Sequence, residues 1–180
     1  MSGNISPHEA QRLKASMLTL AALVLATDQW SKWAIELWLD PSQQLEIVPG
    51  FFNLIHVANT GVAFGLFPAR GQLLGTLILT ALGLLALTVV ASYYRRTPAT
   101  ERGLLAALSL ILGGALGNLI DRIMKGSVTD FLDVYVGAHH WPTFNVADSA
   151  ISVGITLLAV ETLRPRRAAS AASDFASTAE

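Results

Sequence analysis

Side chains capable of chemistry are scarce in this chain and fall into short clusters: Asp28 with Lys32, Asn59 with Gly61, Asn118 with Asp121 and Arg122, Asp130 with Asp133, and Asn145 with Asp148. Two carboxyl groups a few Å apart cannot both ionise cheaply, so they share a proton and present one base and one acid at the same pH. Such a pair can add water to an amide. The ionised member takes a proton from water, while the protonated member polarises the carbonyl oxygen, and protonation of the amine then releases it. This chemistry requires no metal and no cofactor, and none is expected. Asp130 and Asp148 are the two whose chain positions best permit convergence. Other chemistries find less support. Cysteine is absent, which excludes thiolate nucleophiles, disulfides and cysteine metal sites. No GxSxG elbow, HExxH motif or phosphate loop occurs. His139 and His140 are adjacent, which points their rings apart and argues against zinc. Ser31 and Lys32 are successive residues that do not face each other on a helix. A Mg or Ca ion at Asp130, Asp133 and Asp148 stays open, although nothing resembles a calcium loop.

The elements that must position these groups belong to a membrane protein. Of 180 residues, 52% are hydrophobic and only 14% charged, well below the charge content of a soluble domain. The formal net charge of -1 offers no field to attract nucleic acid. Gly71 to Tyr94 supplies 24 residues without a charge and Gly103 to Ile120 another 18, continuing through Asp121 and Arg122. Ala15 to Leu39 and Pro142 to Leu163 are apolar runs interrupted by a few ionisable groups, so the expected fold is an all-α membrane protein with four transmembrane helices. The first run reads as a retained anchor, because apolar character resumes past Asp28 through Trp30, Trp33 and Trp38. Lys and Arg residues divide eight to two between the two sides of the spans, with Arg12, Lys14, Arg95, Arg96, Arg102, Arg164, Arg166 and Arg167 opposed by Arg70 and Lys125. This puts both termini in the cytoplasm. Residues 1–14 and 164–180 are expected as cytoplasmic tails around a domain at 15–163. Gln44 to Val57, broken by Pro49-Gly50, predicts a short hairpin at the outer interface. The segment from Lys125 to Trp141 is expected as an outer loop.

Helical rise places the polar residues at one depth. Asp28 lies roughly 20 Å above the inner start of its helix, Asn118 and Asp121 roughly 22 and 27 Å above theirs, and Asp148 about 9 Å below the outer end of the last helix. All reach the outer third of the bilayer, where an ionisable group costs a few kcal/mol and signals function unless paired. With Asn59, Asn118 and Asn145 they describe a polar pocket open to the outer face. Each group also has a structural explanation. Asp28 and Lys32, spaced i, i+4, can neutralise one another near the interface or orient a substrate. Asp121 and Arg122 suit an interhelical ion pair. Gly113 and Gly117 form a close-packing face across which Asn118 would hydrogen-bond. A transporter relaying protons or a cation through Asp28, Asp121 and Asp148 is a competing function, weakened by the uncharged second span. A noncatalytic scaffold built on the glycine faces leaves the outer carboxylates unexplained.

Five motifs now stand in order: Asp28-Gln-Trp-Ser-Lys32, Asn59-Thr-Gly61-Val-Ala63-Phe64, Gly117-Asn118-Leu-Ile-Asp121-Arg122, Val128-Thr-Asp130-Phe131 and Phe144-Asn145-Val-Ala147-Asp148. Over about residues 15 to 163 the chain resembles bacterial lipoprotein signal peptidase (signal peptidase II), a family of membrane aspartyl peptidases. The resemblance implies that Asp130 and Asp148 are the catalytic dyad. It implies that Asp28, Lys32, Asn59, Gly61, Asn118, Asp121, Arg122 and Asn145 shape and support the site. It also implies a small β-rich periplasmic element between the first two helices. The hairpin there, with Asn59 to Phe64 after it, is expected to close over the bound peptide and to move during substrate entry. The implied substrate is a prolipoprotein, cut on the amino side of a diacylglyceryl-modified cysteine at the outer face of the cytoplasmic membrane. A monomer in contact with membrane lipid is expected. His139, His140 and the tails lie outside the family pattern.

Overall fold

The computed structural model describes residues 6–61 and 69–164, with the backbone alone for 69–72. The expected cover residues 62–64, the side chain of Arg70, and Arg166 and Arg167 therefore lie outside the described residues. In chain order the elements are α1 (Pro7–Trp38), β1 (Gln44–Val48), β2 (Phe52–Asn59), α2 (Ala69–Arg96), α3 (Arg102–Lys125), β3 (Val128–Val136), β4 (His139–His140) and α4 (Val146–Leu163). Helix α1 begins earlier than its apolar run. The Ser6 hydroxyl accepts from the Glu9 amide while the Glu9 carboxylate accepts from the Ser6 amide, and Pro7 fits the first helical position. Residues 7–14, expected as a tail, are consequently helical.

Three helices are long and apolar enough to cross a membrane by length and composition: α2 from Leu73 to Arg96, α3 and α4. Helix α1 carries the Asp28, Lys32 and Glu36 interruptions. Helix α3 is the axis of the bundle. Helices α1, α2 and α4 each pack on it, α1 also touches α4, and the backbones of α1 and α2 stay apart. Small residues allow this approach. A Cβ on Gly113 would lie 2.6 Å from the Ala21 carbonyl oxygen and 2.8 Å from Val24 Cβ of α1, whereas one on Gly114 would lie 2.8 Å from Ile151 Cγ1 of α4. Gly154 returns the contact, since its Cβ would meet Ile111 Cγ1 at 2.7 Å. The expected glycine face is thus two faces, one for each neighbouring helix.

The interior changes character along the axis. Ala21, Tyr94, Leu105, Leu108 and Leu112 form an apolar cluster at one end. At the other, Asp28, Lys32, Asn118, Asp121, Asp130 and Asn145 are buried together beneath the sheet. Many leucines of α2, among them Leu73, Leu77, Leu82 and Leu85, are exposed, as suits a helix whose surroundings are lipid.

The predicted hairpin exists as β1 and β2, but the sheet is larger than expected. It is antiparallel with order β1-β2-β3-β4, so half its strands come from the segment between α3 and α4. That segment is a correction to the expected loop. Thr129, Phe131, Val134 and Tyr135 are strand formers, and the aspartates among them are satisfied across the sheet instead of by solvent. Gly126, in the left-handed region at φ +76°, ends α3 and lets the chain reverse into β3. Helix α4 starts four residues later than its apolar run. The reason is that Phe144 pairs with Leu132 of β3, donating its amide to the Leu132 carbonyl at 3.2 Å and accepting from the Leu132 amide at 2.9 Å. Asp148 therefore sits in the first turn of α4, not a quarter of the way down it.

The glycine contacts predict different tolerances. Gly113→Leu should force α1 from α3 and cost about 1–3 kcal/mol, whereas Gly83→Ala, whose Cβ would meet Leu119 Cδ1 at an ordinary 3.8 Å, should be neutral or stabilising. Thermal unfolding of the two variants in detergent checks this, and equal midpoints would contradict the packing assigned to Gly113.

Candidate active site

Lys32 lies at the centre of the polar cluster. Its ammonium is 2.8 Å from Asp28 Oδ2 one turn back on α1 and 3.0 Å from Asp121 Oδ2 on α3, and it donates to Asn118 Oδ1 at 2.9 Å. The lysine is 1% exposed and both carboxylates 0%. The expected i, i+4 pair of Asp28 and Lys32 forms and is enclosed by the helices, and the interhelical ion pair of Asp121 forms with the same Lys32. Each partner carboxylate does a second task. Asp28 Oδ1 accepts from the Ala147 amide at 2.9 Å, filling one of the free donors at the amino end of α4. Asp121 Oδ2 accepts from the Thr129 amide at 3.3 Å at the start of β3. One lysine thus ties together the two backbone segments that carry Asp148 and Asp130.

The amide side chains are oriented by groups that can only donate. Lys32 requires the oxygen of Asn118, which turns Asn118 Nδ2 to Asp148 Oδ1 at 2.7 Å. Asn145 caps α4. Its oxygen accepts from the Asp148 amide at 3.0 Å, its own amide donates to Asp148 Oδ2 at 3.2 Å, and its Nδ2 is left to donate to Asp130 Oδ1 at 2.7 Å. Asn59, at the end of β2, donates to Asp130 Oδ2 at 2.8 Å. The register shift between Leu54 and Val57 sets Asn59 diagonally across from Asp130, on the same face of the sheet. Gly61, at φ +73°, donates its amide to Asn59 Oδ1 at 2.7 Å, and a side chain there would overlap Leu79 of α2.

Asp130 and Asp148 are therefore neighbours, bridged by Asn145 and each held by a second asparagine. Neither forms an ion pair with a cation among the described residues. The nearby positive charge is committed elsewhere. Lys32 is divided between Asp28 and Asp121, and Lys125 between Asp121 and Glu36. Burial, with the charge of Asp148, raises the proton affinity of Asp130 above the ordinary aspartate range, outweighing the hydrogen bonds from Asn59 and Asn145.

Of the expected site residues, Asp28, Lys32, Asn59, Gly61, Asn118, Asp121, Asn145, Asp130 and Asp148 share this network. Arg122 is half-buried and folds back toward the Asn118 carbonyl at 3.4 Å, reaching no carboxylate among the described residues. Sequence reasoning passed over Thr129 and Ala147, which contribute backbone amides and so leave no side-chain signal. It also passed over Glu36, which meets both Lys125 and the Thr129 hydroxyl. Asp133 forms a separate cluster farther along β3, accepting from Asn53 at 2.9 Å and lying 2.7 Å from His140, whose ring stacks on Tyr135.

Apolar helices around an acid-rich interior beneath a small antiparallel sheet define a membrane enzyme. A solved bacterial membrane enzyme structure obtained by the in meso method at 1.9 Å aligns with a TM-score of 0.72 at 27% identity, covering 84% of this chain and 95% of that one. A second, at 2.3 Å, aligns at 0.67 with 30% identity over 83% and 88%. Residues 20–164 match the family model of signal peptidase (SPase) II. Relatives named lipoprotein signal peptidase include that of Solibacter usitatus, 45% identical over 83% of this chain and 92% of its own, and that of Geobacter sulfurreducens, 43% identical over 83% and 91%. The chain belongs to the signal peptidase II family and is a peptidase.

Removing the central cation isolates its consequences. Lys32→Met leaves Asp28 and Asp121 buried without their partner, and the fold should lose about 3–5 kcal/mol, read from denaturant or thermal unfolding in detergent. A variant as stable as the parent would mean that the two carboxylates are not held by this ammonium.

Proposed function

We propose that the chain is an aspartyl endopeptidase that removes the signal peptide from prolipoproteins, with Asp130 and Asp148 as the catalytic pair. The observation that carries this reading is the bridge through Asn145, which joins the buried carboxyl of Asp130 to the half-buried carboxyl of Asp148, neither of them paired with a cation among the described residues. With one proton between them, the ionised carboxyl takes a proton from water as the water oxygen bonds to the scissile carbonyl carbon. The other carboxyl gives its proton to the carbonyl oxygen. Collapse of the tetrahedral intermediate breaks the carbon–nitrogen bond as the leaving amine is protonated. Asn59, Asn118 and Asn145 hold the acids in place, and Asp28, Lys32 and Asp121 hold the backbones beneath them. Arg122 and Gly61 shape the surroundings.

All four helices span the cytoplasmic membrane in this reading, within a domain at 15–163, and the buried charge of α1 is hidden from lipid against α3 and α4. Both termini are cytoplasmic, and the sheet lies on the periplasmic side. Exposed Trp30, Trp33, Trp38 and Trp141 surround the carboxylate end, as suits residues that anchor at a membrane interface. A signal peptide would present its scissile bond at that level, on the amino side of a diacylglyceryl-modified cysteine whose acyl chains stay in the outer leaflet. The hairpin of β1 and β2, with the chain that follows Asn59, covers the bound peptide and shifts during its entry. The working form in this reading is one copy of the chain.

Cleavage of a lipidated signal-peptide substrate in detergent tests the assignment. Asp130→Asn and Asp148→Asn should each reduce turnover by about 10³-fold or more with helical content intact. Near-normal turnover in either variant removes the dyad. The raised proton affinity of Asp130 sets the sign of the pH dependence. Asp130 keeps its proton above the ordinary aspartate range, and activity should decline on the alkaline side as that proton is lost. It should also decline on the acid side once both carboxyls are protonated, giving a bell-shaped profile.

A further inference from the structure

Because the backbones of α1 and α2 stay apart on α3 and only side chains bridge them, a cleft remains between them at the end of the bundle opposite the carboxylates. It has a volume of about 380 Å³ and is lined by Leu18, Ala91 and Leu112 along its length and by Lys14, Tyr94 and Arg95 at its mouth. The mouth is held in shape. The Tyr94 hydroxyl donates to the Lys14 carbonyl at 2.6 Å, and the Lys14 ammonium donates to the Arg95 carbonyl at 2.9 Å. That bond uses one of three ammonium protons, and Arg95 is exposed with a five-donor fork. Arg12 and Arg96, nearby in the chain on the same two helices, are also exposed, and no carboxylate among the described residues pairs with any of these four cations. Glu9 is bound to Ser6 and Glu161 to Arg164, and the exposed Glu101 before α3 does not line the cleft.

We propose that this cleft binds one anionic phospholipid of the inner leaflet, its phosphate on Lys14 and Arg95 and an acyl chain along Leu18, Ala91 and Leu112. Charge complementarity selects this occupant. The amino-terminal region of a signal peptide is cationic and is repelled by the same rim, so the cleft is not a continuation of the substrate path. A zwitterionic lipid leaves the excess positive charge unmatched.

Native mass spectrometry of the full chain in detergent, incubated with equal amounts of phosphatidylglycerol and phosphatidylethanolamine of matched chains, reads the preference directly. Phosphatidylglycerol should be retained in preference, as a single adduct. Lys14→Gln and Arg95→Gln should each lower it about fivefold. Arg102→Gln, a cation at the same end that does not line the cleft, should leave it unchanged, and Leu18→Trp should lower it with no change in charge. Inorganic phosphate at millimolar concentration should not displace the lipid. Equal retention of the two lipids, parental binding by Lys14→Gln and Arg95→Gln, an equal loss in Arg102→Gln, or displacement by phosphate would each overturn the proposal. So would binding that emerges only after deletion of residues 165–180, since that would assign the cleft to the chain's own tail, which carries Asp174 and Glu180.

Discussion

A single buried ammonium sets the geometry of this molecule's polar end. Lys32 enters an interior that excludes water, and such a charge persists only if its partners are excellent. Asp28 and Asp121 meet that condition, and the requirement runs in both directions because each carboxylate is equally costly unpaired. Three helices are fixed by the outcome. Helix α1 supplies the lysine and one acid, α3 the other acid, and α4 is drawn in through the Ala147 amide held by Asp28. The arrangement adds little net stability relative to apolar packing of the same volume. What it provides is orientation, since the ammonium decides which end of the Asn118 amide faces Asp148.

Close packing around α3 makes this electrostatic arrangement possible. Gly117 lies against the Asp28 carboxylate itself, so the absence of a side chain there is what lets the acid stand between α1 and α4. One turn earlier, Gly113 and Gly114 bring the backbones of α1 and α4 to the same helix from two directions. The glycines and the charges are therefore parts of a single solution. A larger residue at Gly117 would displace Asp28, and with it the first turn of α4 and the Asn145 cap that reaches Asp130.

Much of this was legible in the amino-acid sequence, and the illegible part has a common cause. The long apolar runs marked the helices, and the positions of Asp28, Asn118, Asp121 and Asp148 along them marked a shared depth. That the interhelical partner of Asp121 is Lys32 could not be read, because which side chain turns inward depends on helix rotation within the bundle. Strand β3 was obscured by Asp130 and Asp133, whose polarity suggests a loop. In the folded chain Asn59, Asn145, Asn53 and His140 supply the partners that water would otherwise provide, and all are distant in sequence or on another strand. The start of α4 was obscured for the opposite reason. Pro142 and Phe144 extend the apolar run, yet the Phe144 backbone is committed to Leu132 before the helix begins. Polarity profiles record side chains, whereas these boundaries are decided by backbone hydrogen bonds.

The two acids of the proposed dyad are held by different parts of the molecule. Asp148 belongs to the bundle: its neighbours Asn118 and the capped first turn of α4 are packed against α3 and α1. Asp130 belongs to the sheet, with Asn59 of β2 on one oxygen and Asn145 of the bundle on the other. A shift of the hairpin relative to the helices therefore reaches Asp130 directly through Asn59, and Asp148 only by way of the Asn145 bridge. Asn59 is well suited to transmit it. Its Oδ1 accepts from the Gly61 amide as the chain leaves the strand, and its Nδ2 donates to Asp130. Only glycine adopts the backbone found at position 61 without strain while lying against Leu79, so this joint is tied to α2 as well. Whatever presses on the chain beyond Gly61 acts through two hydrogen bonds on the carboxyl of Asp130, and the spacing of the acids follows the seating of the sheet on the helices.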